Sequence, residues 1–349
     1  MRKANCLLIG CGGIGTIAAL NLERGGLAAV TAVLRSNYSH VVQHGFTIES
    51  VDHGNIKGFR PSNVRDTIPN VRDEVLPPFD YIICTTKNIP DVPPTLAELI
   101  SPAVTPGISS IVLIQNGLNI EKPLIKAFPN NIVISGTSFN ESRQTGQGII
   151  AQTDTDRVSF GAFENSNISI PRQQESAKAF CAIYGVNGKC DASYDPNVGW
   201  IRWRKLLYNA CLNPICAISG LDTGLVQLSE ETVANLVVPA MQEIRAVAKA
   251  CGHDLPEELI AKMISLDRIA THNAPSMLLD VRANRFLEFE NLVGEPMRAG
   301  LAHGVPIPTL GVLYHILAAM QWKLKVTKGM VQISPVYDSD SEGKSDSML

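Results

Sequence analysis

The chain has 349 residues, of which 45% are hydrophobic and 18% charged, and its formal net charge is −3. At roughly 150 residues per domain this length suggests about two domains, and the composition excludes disorder as the main state. The near-neutral charge leaves no basic field for binding nucleic acid or an anionic membrane. No apolar run approaches the ~18 residues of a membrane-spanning helix.

After two charged residues and a short apolar run, the N-terminus leads into a glycine-rich motif, whereas a signal peptide needs a longer uninterrupted apolar stretch. We therefore expect a cytoplasmic protein. The eight cysteines stand mostly among apolar residues, and none forms a Cys-x-x-Cys pair. We expect them to be small buried side chains rather than ligands of a metal.

The first half of the chain predicts strands that alternate with helices. Apolar, β-rich runs occupy residues 5–9, 29–34, 81–84, 110–114, 132–135 and 157–160. Helical composition is found at 16–24, 95–100 and 121–128. Alternation of this kind is typical of a parallel sheet with helices on both faces. The sequence therefore predicts an α/β, doubly wound, Rossmann-like domain over residues 1–190.

After about residue 190 the pattern changes to long helical stretches. They cover residues 200–219, 229–251, 257–265, 276–302 and 310–325. β-Branched runs bounded by turns are absent from this part of the sequence, so we predict an all-α domain over 191–330. The remainder, 331–349, is rich in Ser and Asp and poor in apolar residues, which predicts a disordered tail.

The first strand runs into the motif Gly10-x-Gly12-x-x-Gly15, which opens a helix. Such a turn lets the backbone approach a pyrophosphate, and the helix N-terminus offers free amides and a positive dipole to it. The motif is weak evidence alone, but strand-turn-helix is the context that supports dinucleotide binding. We assign cofactor contacts to the loop residues Gly10, Gly12, Gly13, Ile14 and Gly15.

The end of the second strand favours NADP(H) over NAD(H). An acidic residue there would bind the ribose 2′-hydroxyl, but the sequence has Arg35 and no carboxylate beside it. A guanidinium suits a 2′-phosphate, although an exposed loop arginine is the alternative.

Lys87 and Asn116 also follow predicted strands, at the edge where open α/β sheets bind ligands. We assign both to the cofactor, and Asn116 also to substrate; a solvated lysine and an ordinary Asn-Gly turn are the alternatives.

Two predicted helices carry narrow polar stripes. Lys205, Asn209 and Asn213 advance by four along an apolar helix, which Pro214 should bend. Polar groups near a core need partners, and a ligand cleft would supply them. The alternative is a stripe that faces water.

The other stripe consists of Ser276, Asp280, Asn284 and Glu288, again in steps of four. Ser276 has the alternative of capping the helix, and Glu288 that of pairing with an arginine of the same helix.

Taken together, these motifs resemble those of the ketopantoate reductases. The resemblance covers roughly residues 4–325, and its most specific parts are the run 203–214, with Lys205-x-x-x-Asn209-x-x-x-Asn213-Pro214, and Ser276-Met-x-x-Asp280. It implies an NADPH-binding Rossmann domain, a helical C-terminal domain and a cleft between them. By the same resemblance, Lys205 is the catalytic lysine and Glu288 the substrate-binding glutamate, which we also assign to catalysis. Asn116, Asn209, Asn213 and Ser276 match positions that contact substrate or cofactor.

The resulting hypothesis is an NADPH-dependent reduction of a 2-oxo acid, 2-dehydropantoate to (R)-pantoate, without a metal. The ammonium of Lys205 would stabilise the charge that develops on the ketone oxygen and deliver the proton. The segment Leu118-Asn119-Ile120 is bulkier than the family often has, which leaves the substrate open. The alternatives are a related D-2-hydroxyacid dehydrogenase and a non-catalytic NADP sensor. Apart from the small 2-oxo acid, we expect no nucleic-acid or membrane partner, and a homodimer could form through an apolar helical face.

Overall fold

The computed structural model describes residues 2–332, so the predicted tail lies outside the described residues from position 333 onward. The strands are β1 (Ala4–Ile9), β2 (Ala28–Val33), β3 (Phe46–Ser50), β4 (Gly54–Phe59), β5 (Asn63–Arg65), β6 (Tyr81–Cys84), β7 (Ser110–Leu113), β8 (Val133–Ser138), β9 (Ser142–Gly146), β10 (Ile149–Gln152), β11 (Arg157–Phe163) and β12 (Asp191–Tyr194). The helices are α1 (Gly13–Arg24), α2 (Tyr38–His44), α3 (Leu96–Ile100), α4 (Lys122–Ala127), α5 (Ile170–Gly185), α6 (Val198–Asn209), α7 (Leu212–Ser219), α8 (Thr223–Leu228), α9 (Glu230–Thr232), α10 (Val238–Ala250), α11 (Glu258–Ile264), α12 (Ser276–Arg282), α13 (Glu295–Ala302) and α14 (Pro308–Thr327).

The predicted doubly wound sheet is confirmed. Eight strands pair in the order β12-β11-β8-β7-β6-β1-β2-β5. The six strands from β8 to β5 run parallel, whereas β11 pairs antiparallel with β8 and β12 runs parallel to β11. The sheet thus extends past residue 190, where we predicted the domain boundary, and the division that we propose follows Tyr194.

Both faces of the sheet are covered by helices because its central strands are apolar on both sides. In β1, Leu8 belongs to the same buried cluster as Leu20 of α1 and Phe180 of α5. Its neighbour Leu7 belongs to the cluster on the other face, with Leu124 of α4. Each fully buried side chain of this size contributes roughly 1.5–3 kcal/mol. The parallel strands end at a common edge of the sheet, and this edge is held in place by the apolar clusters on both faces.

A second sheet of four strands, in the order β4-β3-β10-β9, was not predicted. Its outer strands carry little hydrophobic pattern: β4 is largely exposed and contains two glycines, and β9 reads Ser-Arg-Gln-Thr-Gly. Strand β9 packs on α1, where Ser142 lies against Gly13. The second sheet therefore covers the start of the first helix.

The C-terminal part is helical, as predicted, and its core gathers residues from α6, α7, α10 and α14. Two predicted helices are divided in the structure: residues 200–219 form α6 and α7, and residues 276–302 are interrupted after α12. Residues 276–302 do not form a single helix, because α12 ends at Arg282 and Asn284 takes a left-handed conformation with φ +51°. Helical structure resumes at Glu290–Gly294 as a π-helical turn and continues in α13. Within residues 2–332, no helix combines the length and apolar character needed to cross a bilayer.

Candidate active site

The glycine loop joins β1 to α1 with very close packing. Gly10 has φ +96°, and a Cβ there would lie 2.7 Å from Thr86 Cγ2. A Cβ on Gly15 would lie 1.9 Å from the carbonyl oxygen of Gly10, and one on Gly13 would lie 2.2 Å from that of Ser142. At Gly12, by contrast, a Cβ would meet no described atom within 4 Å. The loop is crowded on the protein side and open at Gly12.

The start of α1 suits an anion. The first turn contains no acidic residue, and within the described chain no side chain caps the helix. Its first amides and the positive end of its dipole are therefore available to a phosphate. These residues fit the diphosphate of a dinucleotide.

Arg35 follows β2, next to the glycine loop at the same sheet edge, and its side chain is exposed. The loop around it is held in place by Asn37, which is buried and exchanges hydrogen bonds of 2.9 and 3.0 Å with the side chain of Gln144 in β9. The amide of Gly148 also donates to Asn37 Oδ1 over 3.1 Å. The guanidinium is thus available on a fixed loop.

Lys205 lies on α6 and points toward the ends of β7 and β8. Its Nζ donates to Asn116 Oδ1 over 2.9 Å and to the carbonyl oxygen of Ser138, and it lies 5.5 Å from the ring centroid of Phe139. Burial lowers the pKa of Lys205 to about 8; the charge of Arg202 acts in the same direction and that of Glu288 opposes it. The structure therefore brings Lys205 and Asn116 together.

A small cavity separates the sheet edge from α6. It is lined by Gln115, Asn116, Gly117, Thr137, Arg202, Lys205, Leu206, Asn209 and Leu292. Two buried oxygens of its lining, Gln115 Oε1 and Thr137 Oγ1, have no hydrogen-bond partner within residues 2–332. Buried polar atoms normally have partners, so this cavity is suited to a polar ligand.

The predicted stripe on α6 continues across a helix break. Asn209 is the last residue of α6, and Asn213 lies in the first turn of α7. The break at residues 210–211 lies upstream of the bend that we predicted at Pro214, because proline cannot donate to the carbonyl four residues earlier, that of Ala210. Asn213 is buried; its Nδ2 donates to Ser276 Oγ over 3.4 Å, and its Oδ1 lacks a partner in the described chain.

The second stripe does not share one helix face, contrary to our prediction. Asn284 and Glu288 lie beyond the end of α12. Asp280 and Glu288 nevertheless meet at Lys87, whose Nζ contacts Asp280 Oδ2 and lies 3.6 Å from Glu288 Oε2. Asp280 also pairs with Arg285 over 2.9 Å. This cluster connects the sheet edge to the helical part.

Sequence analysis missed two asparagines that complete this connection. The backbone amide of Asn88 donates to Glu288 Oε1 over 3.0 Å, and its side chain donates to Asn291 Oδ1 over 3.1 Å. The amide of Leu118 donates to the carbonyl of Asn291 over 2.8 Å, and Asn291 Nδ2 donates back to the carbonyl of Leu118 over 2.9 Å. Asn88 stands in no periodic pattern, whereas Asn291 follows Glu288 by three residues, a helical spacing that we did not use.

A buried ion pair was missed as well. Arg202, one turn before Lys205 on α6, lies 2.8 Å from Glu121, and both side chains are almost fully buried. In the sequence, this pair is indicated by Arg202, a charged residue that stands among apolar residues of a predicted helix.

Sequence analysis also missed the i, i+4 spacing of His40 and His44 on α2, whose rings are 5.0 Å apart. In the described part of the chain, no cluster of three or more His, Cys, Asp or Glu side chains could hold a metal.

Comparison with known proteins identifies the family. Residues 6–165 match the family model "Ketopantoate reductase PanE/ApbA", and residues 197–321 match "Ketopantoate reductase PanE/ApbA C terminal". The chain belongs to the ketopantoate reductase family. Members of this family are oxidoreductases that use a nicotinamide dinucleotide to reduce 2-oxo acids.

Individual relatives cover nearly the whole chain. An uncharacterized protein of Saccharomyces cerevisiae is 35% identical over 93% of this chain and 96% of its own length. A 2-dehydropantoate 2-reductase of Nostoc sp. is 26% identical over 91% of this chain and 95% of its own. The solved 2-dehydropantoate 2-reductase of Methylococcus capsulatus is 32% identical, with a TM-score of 0.75 over 92% of this chain and 97% of that one.

More distant structures share the fold. A D-mandelate dehydrogenase solved with NADH and anilino(oxo)acetate is 18% identical, with a TM-score of 0.75 over 92% of this chain and 99% of that one. A dimeric ketopantoate reductase of Staphylococcus aureus is 19% identical, with a TM-score of 0.67 over 92% of this chain and 99% of that one.

Proposed function

We propose that this chain reduces 2-dehydropantoate to (R)-pantoate with NADPH. The observation that carries this proposal is the ammonium of Lys205, which borders a polar cavity at the sheet edge and donates to Asn116. The sheet edge and the helical part both contribute to this cavity, and a ketone oxygen bound in it would lie within reach of the ammonium.

Lys205 would act as the general acid. A pKa of about 8 leaves most of this ammonium protonated at pH 7 and makes it a stronger acid than an ordinary lysine. When bound, the nicotinamide would supply the hydride. As charge develops on the ketone oxygen, the ammonium stabilises it and then donates the proton. Asn116 keeps the ammonium oriented toward the cavity by accepting one of its hydrogens.

The remaining polar residues would hold the substrate. Asn209, Asn213 and Ser276 offer amide and hydroxyl donors suited to a carboxylate, and Asn213 already contacts Ser276. Glu288 would accept a substrate hydroxyl. Its carboxylate is held by the amide of Asn88, which fixes its orientation. Its charge also keeps Lys205 more protonated than burial alone would allow.

NADP(H) is the cofactor that we propose. The glycine loop and α1 would hold the diphosphate, and exposed Arg35 would pair with the 2′-phosphate. Lys87 stays a predicted cofactor contact. Because its ammonium pairs with Asp280 and Glu288, contact with a phosphate requires it to leave these carboxylates at least in part.

Steady-state kinetics over a panel of 2-oxo acids tests this proposal, with NADPH and NADH compared at each substrate. We expect 2-dehydropantoate to give the highest kcat/KM and Lys205→Ala to lower kcat by about 10²- to 10⁴-fold without weakening NADPH binding. A higher kcat/KM for another oxo acid would change the substrate but keep the reaction class. No NADPH consumption with any oxo acid would refute the reaction.

We also propose that the chain forms a homodimer through α14. Residues 308–322 contain no charged side chain, and one face of this helix exposes an apolar stripe that includes Val312 and Ile316, which are 60% and 40% exposed. Apolar stripes of this kind are typical of interfaces, and the Staphylococcus aureus relative is dimeric. Sedimentation equilibrium tests this point. The cytoplasmic location stays a prediction from the sequence.

A further inference from the structure

The buried ion pair between Arg202 and Glu121 lies directly behind the candidate acid. Arg202 is 5% exposed and Glu121 is fully buried. Arg202 Nε lies 2.8 Å from Glu121 Oε1, and Ser135 Oγ, 2.6 Å from each, bridges them. The second carboxylate oxygen, Glu121 Oε2, has no hydrogen-bond partner among the described residues. Desolvating two charges is costly, and an incompletely satisfied pair adds little stability compared with apolar residues of the same size.

The guanidinium fixes the loop that carries Asn116. Its Nη1 donates to the carbonyl of Gln115 over 3.1 Å and to the carbonyl of Gly117 over 2.9 Å. These two carbonyls flank Asn116, whose side chain accepts from Lys205. The loop therefore cannot shift without breaking bonds to a charged donor, which are stronger than ordinary hydrogen bonds.

The same guanidinium contacts the strand that provides the other acceptor. Its Nη2 donates to the carbonyl of Gly136 over 3.3 Å. Gly136 precedes Ser138 by two residues on β8, and the carbonyl of Ser138 is the second acceptor of the Lys205 ammonium. Both acceptors of the ammonium thus lie on backbone segments that Arg202 holds.

We propose that Arg202 and Glu121 are positioning residues for the reaction at Lys205. Arg202 holds both acceptors of the ammonium, and Glu121 orients and neutralises Arg202. This inference rests on the proposed function, in which Lys205 donates the proton. Arg202 also lines the cavity, whereas Glu121 lies outside its lining and acts through Arg202.

The pair also acts on Lys205 through charge. The positive charge of Arg202 lowers the pKa of Lys205. Glu121→Gln leaves that charge uncompensated and should lower the pKa of Lys205 further, by about one pH unit. Arg202→Met removes it and should raise the pKa by a similar amount. Opposite shifts in the two variants would show that the charges of the pair, and not its packing alone, act on Lys205.

The titration is measured without substrate. The enzyme and its variants are labelled with trace acetic anhydride between pH 6 and 11, and mass spectrometry follows the peptide that contains Lys205. The exposed Lys323 serves as an internal control. Unchanged titration of Lys205 in both folded single variants would overturn the electrostatic part of the inference. Because this assay needs no turnover, it remains decisive if no oxo acid proves to be a substrate.

A double variant protects the test against misfolding. Arg202→Met with Glu121→Leu removes both charges and should fold, because apolar replacement of a buried pair is often neutral or stabilising. We expect its hydrogen exchange to rise selectively at residues 115–118 and 136–138, and its kcat to fall by about tenfold or more. Arg202→Lys, which keeps the charge but loses the planar fork, should show the same loss of kcat. Hydrogen exchange in these segments of the double variant at the wild-type rate would overturn the positioning role. If the wild type turns over an oxo acid, an unchanged kcat in the double variant would overturn it as well.

Discussion

Replacing Lys205 with methionine should change the stability of the protein by an amount that depends on pH. Burial lowers the pKa of Lys205 from 10.5 to about 8. Between these two values the unfolded chain binds a proton at this side chain and the folded chain does not. The contribution of Lys205 to stability is therefore lowest below pH 8 and rises as the pH increases toward 10.5.

The size of this effect follows from the pKa difference. About 2.5 pKa units at 1.36 kcal/mol each amount to roughly 3 kcal/mol. Methionine also leaves Asn116 and the carbonyl of Ser138 without their donor, at a cost of about 1–3 kcal/mol for each acceptor that stays buried. This cost is the same at every pH. The stability of Lys205→Met relative to wild type should therefore decline by roughly 3 kcal/mol between pH 7 and pH 10.5.

Urea unfolding of both proteins at pH 7, 8, 9 and 10 measures this difference. Lys323→Met replaces an exposed lysine and serves as the matched control, for which we expect a flat line. A difference between Lys205→Met and wild type that does not change with pH would refute the reasoning, because Lys205 would then titrate alike in the folded and unfolded chains. The role that we propose for it as a general acid would then lose the support of its lowered pKa.

Three further predictions concern other parts of the molecule. We expect the wild type to bind NADPH at least about tenfold more tightly than NADH, roughly 1.4 kcal/mol, and Arg35→Ala to erase most of this preference. Calorimetric titration of wild type and variant with both cofactors measures the affinities. Equal affinities of the wild type for NADPH and NADH would contradict the prediction. Gly13→Ala should lower urea stability by about 1–3 kcal/mol, because its Cβ would lie 2.2 Å from the carbonyl oxygen of Ser142, whereas Gly12→Ala should leave stability unchanged and weaken NADPH binding. Val312→Glu should convert the dimer to monomer in sedimentation equilibrium without loss of helical circular dichroism, and an unchanged mass would move the interface elsewhere.

The sheet could be predicted from the sequence because its signal is local. Strands such as β1 are apolar at nearly every position, since helices cover both faces, and the turn after β1 contains glycines that the packing demands. The second sheet could not be predicted in the same way. Strand β9 is polar and short, and it is held in place by the hydrogen bond of Asn37 to Gln144 and by packing against α1.

The sequence predicted which residues belong to the candidate site better than it predicted how they are arranged in space. The position of Asn116 at the sheet edge follows from the rule that parallel strands end at a common edge, whereas its contact with Lys205 of α6 was not predicted. The spacing of four from Asp280 to Glu288 predicted one helix, but the left-handed Asn284 interrupts it, and these carboxylates meet through tertiary contacts with Lys87. Such contacts depend on how segments that are distant in the sequence pack together. The periodicity within one segment carries no information about that packing.

The reciprocal hydrogen bonds between Leu118 and Asn291 have a consequence for biosynthesis. These residues are 173 positions apart, so the loop that carries Asn116 leaves the ribosome long before its partner is made. At about 5–20 residues per second the delay is roughly 10–35 s. During that interval the strands of the first half can pair, but the carbonyls of Gln115 and Gly117 lack their donor Arg202, and the backbone of Leu118 lacks Asn291, until these residues are made. The candidate active site is therefore completed only after residue 291 has been made, later than the glycine loop between β1 and α1.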